Sequence, residues 1–189
     1  MSEDFFSNES SSEGGSLRFL KYLVKEKMWM VGEDSVDLSY VQVDVETMKT
    51  GIGRYSGGYE FEWSPVFGSK LYKDGWSDAV SVWLMIHGED KPVLLETMAG
   101  HQVRAFKSMY EQIRNDFRNN LPNLPVFSYK GSETFKTKSG YDSASHTFKL
   151  EGYKPRKDGF VVPEWFKEEA AVDAEVTKTE ELKSEDIPF

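Results

Sequence analysis

Apolar and polar positions alternate in short runs between residues 17 and 166, and the pattern is absent on either side of them. Residues 17–25 and 27–31 read as strands, set off by the turn-like Gly32-Glu33-Asp34. From Tyr40 the alternation is strict, with Val41, Val43 and Val45 on one face and Gln42, Asp44 and Glu46 on the other. Gly57-Gly58 between residues 51–55 and 59–63 predicts a hairpin. Its second strand sets Tyr59, Phe61 and Trp63 on one face and Glu60 and Glu62 on the other. Residues 80–87 and 93–98 form a second pair of strands around the turn at 88–92. The period then lengthens. Val103, Phe106, Met109, Tyr110, Ile113 and Phe117 recur every three or four residues and predict one helix over 100–120, ended by Leu121-Pro122. Strands follow near 126–130, 133–138 and 146–153, and an aromatic plug at 163–166 ends the pattern.

Short strands, Gly-rich turns and a single long helix predict a mainly β, α+β chain. The expected architecture is an OB-fold-like barrel with the helix closing one end, and a twisted α+β sheet is the alternative. Residues 1–16 are Ser, Glu and Asn around Gly14-Gly15, with no apolar face to offset the cost of ordering, and predict a disordered acidic arm. Residues 167–189 predict a disordered acidic tail. No apolar run approaches the roughly 18–20 residues of a membrane helix. The first residues lack the basic and apolar regions of a signal peptide, so a cytoplasmic location without a membrane partner is expected. Without cysteine there is no disulfide, thiol nucleophile or Cys-held zinc.

Charge first argues against nucleic acid, since 32 acidic and 23 basic residues give a net charge of -9. Its distribution reverses that inference. The arm carries -4 and the tail -5, which leaves 20 acids against 20 bases in residues 17–166. That span also holds 24 of the 27 aromatic residues. Binding a single strand needs cations for phosphates and exposed rings for bases. Residues 127–160 meet this compositional test, with seven bases, four acids and seven rings. The candidates there are Tyr129, Lys130, Lys136, Lys138, Tyr141, Lys149, Tyr153, Lys154, Arg156 and Lys157. A second set is Arg54, Tyr55, Lys70, Tyr72, Lys73 and Trp76, the last three on an aromatic loop. Most rings in so small a fold belong to its core, and Tyr or Trp beside a cation is the better stacking candidate. Arg104, Lys107, Arg114 and Arg118 read as the solvated face of the helix. Engaging five to seven bases would give a log–log salt slope of roughly -3.5 to -5.

Catalytic chemistry finds little to build on. His87, His101 and His146 have no metal-ligand spacing, no phosphate-binding loop is present, and Gly51-Ile52-Gly53 lacks the third glycine of a dinucleotide fingerprint. Asp44/Glu46 and Glu60/Glu62 are carboxylate pairs that a Mg²⁺-dependent nuclease could use. Acids alternating with buried apolar residues explain the same spacing, so no metal, cofactor or enzymatic activity is expected.

The chain stops at Glu185-Asp186-Ile187-Pro188-Phe189. Acids followed by a kinked apolar tip make a peptide plug, whose ring fills a pocket while the terminal carboxylate meets a cation. This tip resembles that of bacterial and bacteriophage single-stranded DNA-binding proteins, whose acidic tails end in Asp-Ile-Pro-Phe or a close relative. Phe19-Leu20-Lys21, the run from Trp29 to Asp34 and the run from Thr50 to Tyr55 are similar in flavour to small phage-encoded DNA-binding proteins. The resemblance implies a tip that recruits replication, recombination and repair proteins, on a tail that discourages non-specific contacts with the DNA groove. The core does not align with the bacterial domain, so a tetramer is not carried over, although a homo-oligomer is compatible. The expected function is sequence-independent coating of single-stranded DNA during phage replication, recombination and repair in a bacterial host. An adaptor acting mainly through the tip is the alternative.

Overall fold

The structure, a computed structural model, describes residues 17–164 and 166. The predicted arm and tail, with the tip Glu185 to Phe189, lie outside the described residues. Among these the chain forms, in order, β1 (Leu20–Leu23), β2 (Met28–Val31), β3 (Asp34–Val36), β4 (Tyr40–Val43), a 3-10 turn (Val45–Thr47), β5 (Lys49–Tyr55), β6 (Tyr59–Trp63), β7 (Ser77–Ile86), β8 (Val93–Thr97), α1 (Gly100–Ile113), α2 (Phe117–Asn120), β9 (Leu124–Lys136) and β10 (Asp142–Lys154).

The protein is mainly β, as the pattern predicts, but the expected barrel does not close. Strands β1 to β3 form a sheet of their own, and a bridge between Phe19 and Leu94 joins the chain just before β1 to β8. The larger sheet runs β10-β9-β4-β7-β5-β6, with β8 on the other side of β7. The reason for the opening is local. Both β4 and β5 pair with the same side of β7, β4 at Leu84 to Ile86 and β5 at Ser77 to Ser81. The 3-10 turn between them, started by Asp44, whose side chain accepts from the Glu46 N–H, kinks the chain. Beyond that kink the sheet splays, with β6 extending one branch and β9–β10 the other.

One face of the sheet packs on α1. Val41, Val43, Val80, Val82, Leu84 and Phe127 meet Val103, Phe106, Met109 and Ile113 there, all buried. The opposite face is crossed by a strap, residues 155–164 with Phe166. The buried Gln42 side chain donates to the carbonyls of Lys154 and Pro155 (3.2 and 2.8 Å) and accepts from the Lys157 N–H at 2.8 Å. Beyond it Phe160, Val162 and Phe166 pack on Trp83, Met85, Leu94 and Leu124. The face of β4 expected to be solvent-facing is therefore covered, and Asp44 is buried.

Three boundaries move. The predicted helix breaks into α1 and α2 around Asp116, whose backbone leaves the helical region (φ -130°). The two strands expected at 126–130 and 133–138 are one, because Gly131 (φ 105°) absorbs a bulge where the β9–β10 register shifts. The turn expected at residues 32–34 ends a residue sooner, since Asp34 already begins β3 and residues 34–36 pair with β2.

Candidate nucleic-acid interface

The hairpin predicted from Gly57-Gly58 forms a ribbon at one edge of the sheet, with Gly57 in the left-handed region (φ 72°) and Tyr55 opposite Tyr59. Direct partners across an antiparallel pair share a face. On the face away from α1 the register sets Gly51 beside Trp63, Gly53 beside Phe61, and Tyr55 beside Tyr59. The large rings lie over the small residues: a Cβ on Gly53 would meet the Phe61 ring at 2.8 Å, and one on Gly51 would meet the Glu62 carbonyl oxygen at 2.2 Å.

The result is a ladder of rings. Tyr59 and Phe61 are stacked at 6.2 Å between centroids and 8° between planes; Phe61 and Trp63 follow at 5.2 Å and 13°. Tyr55 sits edge-on to Tyr59 at 5.2 Å. Tyr59 is 63% exposed and Phe61 and Trp63 are half-buried, so the ladder faces solvent. Nothing among the described residues pairs with the outer side of β6. Gly51→Ala is expected to lower stability by about 1–3 kcal/mol, as overpacking does, and to disturb the ladder above it; urea denaturation measures the first effect.

The ribbon's other face is ionic. Arg54 donates through Nε and Nη2 to Glu60 Oε2 at 2.9 and 2.7 Å, and Lys73 pairs with Glu62 at 3.1 Å. Both cations lie on the Trp76 ring, at 5.1 and 4.4 Å from its centroid. Tyr72 beside them is 91% exposed, and Lys70 is exposed on the same loop. The carboxylate pair Glu60/Glu62 is thus held by cations of its own chain, and Asp44, nominated with Glu46 as a metal pair, bonds Arg156 Nη1 at 2.8 Å. No group of three or more metal-ligating side chains occurs among the described residues.

The candidates of residues 127–160 lie at the opposite edge of the sheet and do not join those of the ribbon and its loop. At the β9–β10 hairpin tip Lys136 pairs with Asp142 at 2.6 Å, Lys138 is exposed, and Tyr141 is 74% exposed. The Lys136 ammonium holds the Asp142 carboxyl below its ordinary value. Lys130 pairs with Glu151 at 3.3 Å on the outer face, and Lys149 is exposed nearby. Hydrogen bonds from Ser128 and Lys130 lower the Glu151 pKa. Lys154, Arg156 and Lys157 begin the strap: Arg156 lies over Phe160, and Lys157 Nζ donates to the Glu89 carbonyl.

Two predicted stacking residues are turned inward. The Tyr153 hydroxyl donates to Asp116 Oδ1 at 2.6 Å, and burial with that carboxylate pushes its pKa up. Tyr129 packs on Phe148 at 4.9 Å and Trp29 at 6.0 Å, so its ring joins a buried cluster rather than an open groove. Their neighbouring cations suggested exposure, but the bulged strand aims the cations out and the rings in.

That cluster holds a polar chain. The Tyr129 hydroxyl meets His146 Nδ1 at 3.0 Å, and His146 Nε2 meets His101 Nδ1 at 3.0 Å. Tyr22 packs edge-on to His146 at 4.4 Å and so ties the small sheet to β10. Burial, then the neighbouring His101 and Arg104, lower the His146 pKa to about 4; burial and Arg104 also lower that of His101. A ring with a depressed folded pKa contributes stability fully above its unfolded value, about 6.5, and loses that contribution as pH falls toward its folded pKa. Stability should therefore fall by on the order of 2 kcal/mol between pH 6.5 and 4, and His146→Phe should flatten that slope in urea titrations at pH 7 and 5.

Between the 3-10 turn and the strap lies a cavity of about 550 Å³, lined by Asp44, Glu46, Thr47, Arg156, Phe160, Val161, Val162 and Phe166. It lies on the ladder's face of the sheet, where Lys49 Nζ sits 4.4 Å from the Phe166 ring centroid. Together fold and site define a mainly β protein with an aromatic-faced edge ribbon. Comparison with protein-family models, curated proteins and solved structures finds no match.

Proposed function

We propose that the chain binds single-stranded DNA, without sequence preference, through the β5–β6 ribbon. Unpaired bases lie on Tyr59, Phe61 and Trp63, while the backbone follows the open side of β6, within reach of Arg54 and Lys73. One observation carries this reading: three near-parallel rings, one exposed and two half-buried, on an edge strand with no strand partner on its outer side among the described residues. Base–aromatic stacking is tolerant of sequence because every base has a π-face, and duplex DNA hides those faces. The hairpin-tip cations and Tyr141 serve as a second, weaker contact for a longer strand. The tip Glu185 to Phe189 supplies the other half of the reading on its sequence, as the segment that recruits replication and recombination proteins of a phage-infected bacterium.

Titration of oligo-dT against tryptophan fluorescence at 50 mM salt tests the reading, with residues 167–189 removed so that the tail cannot compete. Quenching that saturates is expected, and an absence of binding overturns it. The intact chain should bind equally well or more weakly, because the tail adds five net negative charges. Stronger binding by the intact chain would refute the tail's competing role.

A further inference from the structure

We propose that the cavity between the 3-10 turn and the strap receives one unpaired base of the strand bound on the ladder. The inference rests on the single-strand reading and gives that strand a direction across the protein.

Alignment comes first. On the ladder's face of β5 the positions run Tyr55, Gly53, Gly51 and Lys49, and the first three lie beside Tyr59, Phe61 and Trp63. Such positions are about 6.7 Å apart, so Lys49 lies one step past Trp63. Two and three residues back along the chain, Thr47 and Glu46 already line the cavity. A strand leaving Trp63 along this face therefore meets the cavity without a turn.

Size and polarity agree. At about 550 Å³ the cavity falls within the roughly 300–1,000 Å³ of small-molecule sites. Asp44 is buried and paired with Arg156, and the exposed Glu46 adds a second carboxylate against that one guanidinium. With the Lys49 ammonium beside the Phe166 ring the charges balance, so the cavity does not select a phosphate and accepts a neutral group. A nucleobase brings N–H donors for Glu46 and acceptors for the remaining Arg156 N–H groups, and its apolar body suits Phe160, Val162 and Phe166. Arg156 already lies over Phe160, with Cζ 5.1 Å from the ring centroid, and a planar guanidinium can also stack on a base.

The test locates bases directly. The full chain is irradiated with oligo-dT carrying 5-iodouracil, and crosslinked peptides are mapped. Crosslinks are expected at residues 59–63 and, separately, within 155–166. Val161 lines the cavity and is 69% exposed, so Val161→Trp fills the mouth without touching the Asp44–Arg156 pair. That variant should lose the strap crosslinks, keep those on the ladder, and bind an octamer about tenfold more weakly while binding a trimer unchanged. Crosslinks confined to the ladder in the wild-type chain, which needs no variant to fold, would overturn the cavity proposal and leave the ladder standing. Crosslinks to the strap that persist in Val161→Trp would also overturn it. No binding of either oligomer would instead sink the single-strand reading itself.

Discussion

Replacing Phe61 and Trp63 together by alanine should lower the affinity for oligo-dT by at least about thirtyfold, since each base–ring contact is worth roughly 1–3 kcal/mol and 1.4 kcal/mol is a factor of ten. The loss should be larger than for any pair of lysine substitutions in the chain, and it should persist at high salt, where phosphate contacts fade. The pair is suited to the test because both rings are half-buried on an edge strand and lie outside both buried clusters. Unchanged circular dichroism is therefore expected alongside the lost binding. Tyr72→Ala is the control: the ring is more exposed than any in the ladder but sits on the loop at the ionic face, so its removal should change affinity less than threefold. An equal loss from Tyr72→Ala would move the site to the loop and sink the ladder.

Much of this site is present in the residue pattern. Gly57-Gly58 defines the hairpin, and the period of two puts Tyr59, Phe61 and Trp63 on one face. What composition did not mark was which of the many rings stays exposed. Cations stand beside rings most densely in residues 127–160, yet Tyr129 and Tyr153 point inward there. The ladder rings alternate with Glu60 and Glu62 instead. The overlooked signal was Gly51 and Gly53, spaced by two on the neighbouring strand: small residues opposite large ones leave room for rings to lie over the sheet. The α1 face was readable from its period because helix and sheet bury apolar residues at fixed spacing. The strap was not, since it is held by the Gln42 amide, by Arg156 and Lys157 on Asp44 and the Glu89 carbonyl, and by three apolar residues without period. Nor was the opening of the barrel, which depends on a 3-10 turn where strict alternation predicted continuous strand.

The second large effect comes from the carboxylates. Arg54 and Lys73, the cations on the ribbon's other face, are each occupied by a carboxylate of β6, and Lys130, Lys136 and Arg156 are likewise paired within the chain. A phosphate that takes Arg54 must first displace Glu60, and the freed carboxylate recruits a salt cation of its own. Fewer ions are released on balance, so the slope of log affinity against log salt should be shallower than the -3.5 to -5 that counting cations gives. Glu60→Gln with Glu62→Gln removes both competitors while keeping the size and strand register of the side chains. Exposed ion pairs of this kind are worth about 0.2–1 kcal/mol each. Affinity at 50 mM salt should therefore rise several-fold to about tenfold, and the slope should steepen by up to about 1.4. Folding stability should fall by no more than the two surface pairs contribute. A double variant that binds no better than the parent, with the same salt slope, would show that phosphates never reach Arg54 and Lys73, and would place the DNA backbone away from the ionic side of the ribbon.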